Sequence, residues 1–337
     1  MRLCFPQSDV RRTWTVELLP QPGGPVLVCQ QCAQGGQRLT GPAARSEVLA
    51  HLASHARRDL LPAHLRTCQC HERGCGWHPR HRGCHGPIRL LLARDHGGRA
   101  WRLTDACTAC AAATSQAAVV PETILAAAVS SRGRANTRRK RHPQGPDSRT
   151  RVQEMLNYLA VALPTATGAD ARLIALQCAL RMNNVARVRL PLGLLRSLRL
   201  GSASEAWREL SEAGWLRPFM SDGGVITAQM LDAALLTQHP ARPDRLQAAD
   251  WAVRSASSIQ TDSAPLPRLA ALALAAHTVA GENQGAVSAE QMARECGCRI
   301  TALPVILKHL VAEEVLVSWT GTGEAGDLRW ELVSNRA

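Results

Sequence analysis

The sequence predicts a mainly α-helical chain with small β elements, built from metal-held modules at its start and two copies of one helix-and-hairpin unit behind them. Three observations carry that expectation. Six cysteines, with histidines at 71, 78, 81 and 85 among them, crowd into residues 68–110, and a smaller Cys/His group precedes them at 29–55. Residues 129–150 form a polar, basic break in composition. Beyond the break, the order helix, strand, helix, turn, helix, hairpin is read over residues 151–238 and again over 239–337. At 337 residues and 45% hydrophobic side chains, the chain is long enough for several packed cores. It has no run of about eighteen apolar residues, so no membrane partner is expected. The opening residues lack the apolar segment of a secretory signal. A reducing, cytoplasmic and nucleoid-associated location is expected, where grouped cysteines point to metal rather than disulfides.

The first elements organise ligands. Residues 13–19 alternate as a strand, and residues 24–29 form a second strand running into Cys29-Gln-Gln-Cys32. Residues 43–58 have helical spacing, with Ser46 as a cap; His51 and His55 lie four apart and share one face. Thiolate and neutral imidazole are the preferred ligands of a closed tetrahedral zinc site, so Cys29, Cys32, His51 and His55 are expected to hold one ion. The pattern Cys-x2-Cys-x18-His-x3-His resembles a Cys2His2 zinc finger with a lengthened loop, and defines a module over residues 1–62. Over 63–128, the candidate ligands are Cys68, Cys70, Cys75, Cys84, Cys107 and Cys110. Spacing leaves open whether they bind one ion or two, so two or three Zn2+ ions are expected in all. Residues 87–94 and 99–104 read as strands around the turn Asp95-His-Gly-Gly98. Knuckle, hairpin, knuckle resembles a zinc ribbon. The two modules are expected to pack together, and a short helix is expected at 121–129.

The basic stretch 129–150 reads as a disordered linker. Its Arg132, Arg134, Arg138, Arg139, Lys140 and Arg141 are expected to neutralise phosphates and release counterions. Amphipathic helices follow at 151–162 and 171–181, then a short strand from 185, a helix started by Pro191 and a turn at Gly201. A helix capped by Ser202 ends at Gly214, and strands flank the turn at 221–224. In the second copy a connecting helix is expected at 244–257, three more from 267, 288 and 301, and strands at 315–319 and 328–333. This order resembles a winged-helix domain, so residues 151–238 and 239–337 are expected to be a tandem pair. The resemblance implies that each third helix enters a major groove. Ser202, Ser204 and Arg208 would face DNA in the first copy, with Ala203, Ala206, Trp207 and Leu210 turned inward; Arg299, Thr301 and Lys308 would do so in the second. Cys296 and Cys298 read as free thiols.

Charge supplies the partner. Residues 1–150 carry 22 Lys+Arg against 9 Asp+Glu, while residues 151–337 carry 18 of each, so the first part holds the whole excess of +13. A polyanion is implied, most simply double-stranded DNA. An enzyme is not expected. In a zinc deaminase pattern His71 and Glu72 would need a residue between them, and proline would precede Cys107 where Ala106 stands. Donors in excess argue against the open position of a catalytic zinc. No phosphate-cradling glycine loop is present, and no small-molecule substrate is evident. Tandem winged helices resemble those of actinobacterial regulators and plasmid replication initiators. The expected function is therefore sequence-specific DNA binding by a transcriptional regulator. An initiator binding origin repeats and a zinc-stabilised protein-interaction scaffold are the alternatives. The neutral C-terminal half is compatible with a homodimer.

Overall fold

The computed structural model describes residues 12–32, 36–40, 44–59, 61, 65–70, 84–95, 97–121, 147–200, 204–222, 224–231, 242–257, 264–279, 281–321 and 326–333. Of these, about 47% are helical and 26% lie in strands. The helix-rich character expected from the sequence therefore holds, but it is unevenly spread. The chain divides into two compact units, Met1–Val120 and Pro121–Ala337, and the first is organised by a sheet.

In the first unit the strands are β1 (Thr13–Leu19), β2 (Val26–Cys29), β3 (Gln37–Arg38), β4 (Ile88–Arg94), β5 (Ala100–Cys107) and β6 (Ala117–Val119). They form one antiparallel sheet in the order β3-β2-β1-β5-β4-β6. The alternation of β1 buries Trp14 and Val16, with Val16 opposite Cys29 on one side and Trp101 on the other. Helix α1 (Ala44–Arg58) packs against β1 and β5. It buries Val48, Leu49, Leu52, Ala53 and Ala56, whose spacing places them on one stripe. Cysteine and histidine spacing places a module boundary at residue 62. The β1–β5 pairing crosses that point, so both expected modules share a sheet. A buried ion pair between Arg12 and Asp105, 2.7 Å long, reinforces the same junction.

The alanine-rich tract before residue 121 divides into a helix and a strand. Thr108–Ala113 forms helix α2, and Ala117–Val119 adds to the sheet beside β4. Alanine favours helix in isolation, but the open edge of β4 supplies backbone partners, and Ala117 and Ala118 are buried there. The helix expected at 121–129 lies, apart from Pro121, outside the described residues.

The second unit starts with α3 (Ser148–Ala162) and α4 (Ala169–Arg181), followed by β7 (Arg187–Pro191), α5 (Leu192–Ser197), α6 (Ser204–Glu212), β8 (Leu216–Asp222) and β9 (Val225–Met230). The order then repeats: α7 (Arg242–Ser257), α8 (Pro265–His277), β10 (Gln284–Ser288), α9 (Ala289–Cys296), a 3-10 turn at Ile300–Ala302, α10 (Leu303–Ala312), β11 (Leu316–Gly321) and β12 (Asp327–Leu332). The two sheets have equivalent orders, β7-β9-β8 and β10-β12-β11. No strand signal marks β10 in the sequence. That strand is short and includes Gly285, where a Cβ would lie 2.4 Å from the Trp330 ring. The predicted inward face of α6 is buried at Ala206, Trp207 and Leu210.

The copies are interlocked through their leading helices. Helix α3 packs against α8 and α9 of the second copy, and α7 packs against α4 and α5 of the first. Arg149 of α3 donates to the carbonyls of Thr278 and Val279 at 2.9 and 3.0 Å, capping α8. Arg245 of α7 donates to the Met182 carbonyl at 2.9 Å, capping α4. A cation at a helix C-terminus meets unsatisfied carbonyls and the negative end of the helix dipole. A second reciprocal pair lies deeper. Buried Arg268 of α8 donates to the carbonyl of Leu198, which ends α5. Buried Arg172 of α4 lies against Gly297, which ends α9 with φ 66°.

Candidate metal centres

Two Cys/His clusters meet inside the first unit. In the first, β2 ends at Cys29, the next turn brings up Cys32, and successive turns of α1 present His51 and His55. Cys29 Sγ lies 3.4 Å from His55 Nε2, Cys32 Sγ lies 3.5 Å from His51 Nε2 and 3.4 Å from His55 Nε2, and the two Nε2 atoms are 3.1 Å apart. Ligands of a tetrahedral zinc stand about 3.5 Å apart for sulfur–nitrogen and about 3.3 Å for nitrogen–nitrogen pairs. The four donors therefore surround a space of the right size, and all lie within 4.8 Å of one another. Burial pushes both imidazoles below their ordinary pKa, and the Arg58 cation adds to the effect. That favours the neutral form, the one that donates to a metal.

The supporting residues escaped sequence reading. Gln31, inside the knuckle, donates from Nε2 to the Thr13 carbonyl at 3.2 Å and accepts from the Thr15 N–H at 3.2 Å. It thereby laces the thiol turn to β1. Asp59, just past α1, accepts from Trp14 Nε1 at 3.1 Å and holds the indole beside His55. A glutamine between two cysteines is a local signal that could have been noticed; the Trp14–Asp59 pair carries none.

The second cluster comprises Cys68, Cys84, Cys107 and Cys110, again within 4.8 Å of one another. Cys107 closes β5 and caps α2, so the backbone N–H of Cys110 points to Cys107 Sγ at 3.4 Å. The Cys107 N–H points to Cys68 Sγ at 3.3 Å. The turn carrying Cys68 is tied to β5 by a bond from the Gln69 N–H to the Asp105 carbonyl, 2.9 Å long. Cys110 Sγ lies 3.4 Å from Cys68 Sγ, 3.3 Å from Cys107 Sγ and 3.7 Å from Cys84 Sγ. Sulfurs on one tetrahedral zinc stand about 3.8 Å apart, so this cluster is the right shape and slightly contracted. Burial pushes the Cys84 and Cys110 thiols well up from their ordinary value, and neighbouring cysteines add to it. Thiols this crowded resist ionising together unless a cation sits among them. Both clusters are thus compatible with metal, as the sequence reading expected.

Of the six cysteines expected to bind in 68–110, four meet in this set. Cys70 lies beside them, 3% exposed, with Sγ 3.1 Å from Cys84 Sγ. Cys75 lies outside the described residues. So do the six linker cations, Arg132, Arg134, Arg138, Arg139, Lys140 and Arg141, together with Ser202. Ser204 and Arg208 are exposed on α6, while Arg299, Thr301 and Lys308 are exposed on and before α10. Arg208 is not idle: its guanidinium is paired with Glu205 and Glu212 along its own helix. Compared with protein-family models, with curated proteins and with solved structures, the chain matches none.

Proposed function

We propose that this chain is a zinc-stabilised protein that binds double-stranded DNA in a sequence-specific way, as a transcriptional regulator does. One observation carries the reading. Each copy in the second unit runs helix, strand, helix, helix, hairpin, with the first strand beside the last in its sheet. That arrangement resembles a winged helix. Its third helix, α6 or α10 with the 3-10 turn that leads into it, exposes polar side chains: Ser204 and Arg208 in one copy, Thr301 and Lys308 in the other. Such side chains suit hydrogen bonding to base edges in a major groove. The charge excess of the first 150 residues suits phosphate contacts, which add affinity without reading sequence. Zinc, when bound, supplies structural cross-linking: each cluster offers four protein ligands and leaves no position for a substrate.

A specific observation favours a second reading, a protein-interaction scaffold. Val305, on α10, is 71% exposed, and Arg208 on α6 is already engaged by two carboxylates. Selection of bound duplexes from a random pool, using zinc-loaded protein, separates the readings. Enrichment of one motif is expected, with log affinity falling linearly as log salt rises. Neutralising the six cations of residues 132–141 should weaken all duplexes alike and flatten that slope. Footprints on a row of repeats would instead indicate a replication initiator. No binding to any duplex at low ionic strength would leave the scaffold.

A further inference from the structure

The second metal cluster holds more sulfur than a tetrahedral ion can use. Cys68, Cys84, Cys107 and Cys110 complete a four-donor set, and Cys70 is a fifth thiol against it. Its distance to Cys84 is 3.1 Å, shorter than the 3.3, 3.4 and 3.7 Å between sulfurs within the set. Cys70 is not one of the four donors that all lie within 4.8 Å of one another, yet its sulfur touches that of Cys84, so it stands beside the set. Their settings also differ. Cys84 is partly exposed, while Cys70 is buried among Leu91, Ala93, Ala106 and Ala117. Cys68 and Cys107 are each steadied by a backbone N–H, as described above. Of the two partly exposed sulfurs of the set, Cys68 and Cys84, Cys84 is the one with the buried Cys70 thiol against it at 3.1 Å.

We propose that Cys70 and Cys84 form a hydroperoxide-sensitive thiol pair whose oxidation to a disulfide opens the second metal centre. The inference rests on the reading of that centre as a metal site. Cys84 Sγ, which would be held as a thiolate when the centre carries its metal, attacks a hydroperoxide oxygen. The S–O bond forms as the O–O bond breaks, and the leaving alkoxide or hydroxide takes a proton from solvent. Cys84 is then a sulfenic acid. The Cys70 thiol attacks it: the S–S bond forms, the S–O bond breaks, and the departing hydroxide leaves with the Cys70 proton as water. Two sulfurs have lost two electrons, and the hydroperoxide has become an alcohol, or water where hydrogen peroxide is used. Cys84 no longer donates as a thiolate, so three thiolates remain from Cys68, Cys107 and Cys110. A structural site needs four.

The test uses the full chain, hydrogen peroxide and zinc. Zinc content is measured first, then zinc release into a chromogenic chelator is followed after peroxide addition, and disulfides are mapped by peptide mass spectrometry. Wild type should hold zinc at both centres and lose one equivalent on oxidation, with Cys70 joined to Cys84. Cys70→Ser and Cys70→Ala should keep the full zinc content and release it at least tenfold more slowly. Loss of one zinc equivalent in both Cys70 variants would make Cys70 a ligand and overturn the proposal. So would release at the wild-type rate, or a disulfide between other cysteines, Cys75 included. Wild type lacking the second zinc altogether would instead overturn the metal reading, and the proposal with it.

Discussion

At the scale of single residues, the most informative group is His277. It is buried between three helices, with Nε2 at 2.8 and 3.1 Å from the Glu295 carboxylate and Nδ1 at 3.0 Å from the Gln153 amide. Gln291 donates to the same carboxylate at 2.9 Å. Burial alone would push the imidazole down, but the Glu295 charge and its hydrogen bond outweigh that, and the net direction is up from 6.5. The folded chain therefore holds more protons on this group than the unfolded chain does. Its stabilisation is complete below 6.5 and is lost as pH rises through the raised folded value. Thermal unfolding followed against pH should show that loss, and Glu295→Gln should remove this part of the slope. His277→Ala, which strands a buried carboxylate, should cost about 3–5 kcal/mol in chemical denaturation. A slope unchanged by Glu295→Gln would show that the pair does not govern it. Nothing in the local sequence marks this pair, because its members sit 18 positions apart and meet only when α8 and α9 pack.

At the scale of elements, knuckles and helix ends carry the metal centres. The helix-bound histidines were legible, because an i, i+4 spacing places both on one face whatever the tertiary fold. Thiol spacing was less decisive. Cys107 and Cys110 meet through the turn between β5 and α2, but their companions come from positions 68 and 84. Cys29→Ser and Cys107→Ser should each remove one zinc equivalent in metal analysis and shift the unfolding of the first unit to lower denaturant, since ligand loss is folding loss at such sites. Unchanged stoichiometry in either variant would refute that centre. The alanine tract gave no periodic signal, and the edge of β4 decided that residues 117–119 pair as a strand. On α6 the pattern of inward and outward residues followed sequence spacing closely, with Ala206, Trp207 and Leu210 buried and Ser204 and Arg208 exposed. What spacing did not reveal is that Arg208 spends its charge on Glu205 and Glu212.

At the scale of the molecule, the second unit is one interlocked body rather than two beads. Each leading helix packs on the opposite copy, and Arg149, Arg245, Arg172 and Arg268 all reach across at or beside helix ends. A fragment spanning residues 147–231 should therefore lack a cooperative melting transition, while residues 147–333 should retain one by circular dichroism. A cooperative melt of the shorter fragment would mean that the first copy is self-sufficient. The sequence by itself determined most of the order of the elements, the two kinds of metal-binding donor, the charge asymmetry and the repeat, because each is written in local spacing or in composition. Tertiary structure alone decided that one sheet joins the two N-terminal segments, that four of the sulfurs close around a common point with Cys70 beside them, and that the repeats exchange helices. Those outcomes depend on contacts between residues tens of positions apart, and hydrophobic periodicity is a local signal that does not reach so far.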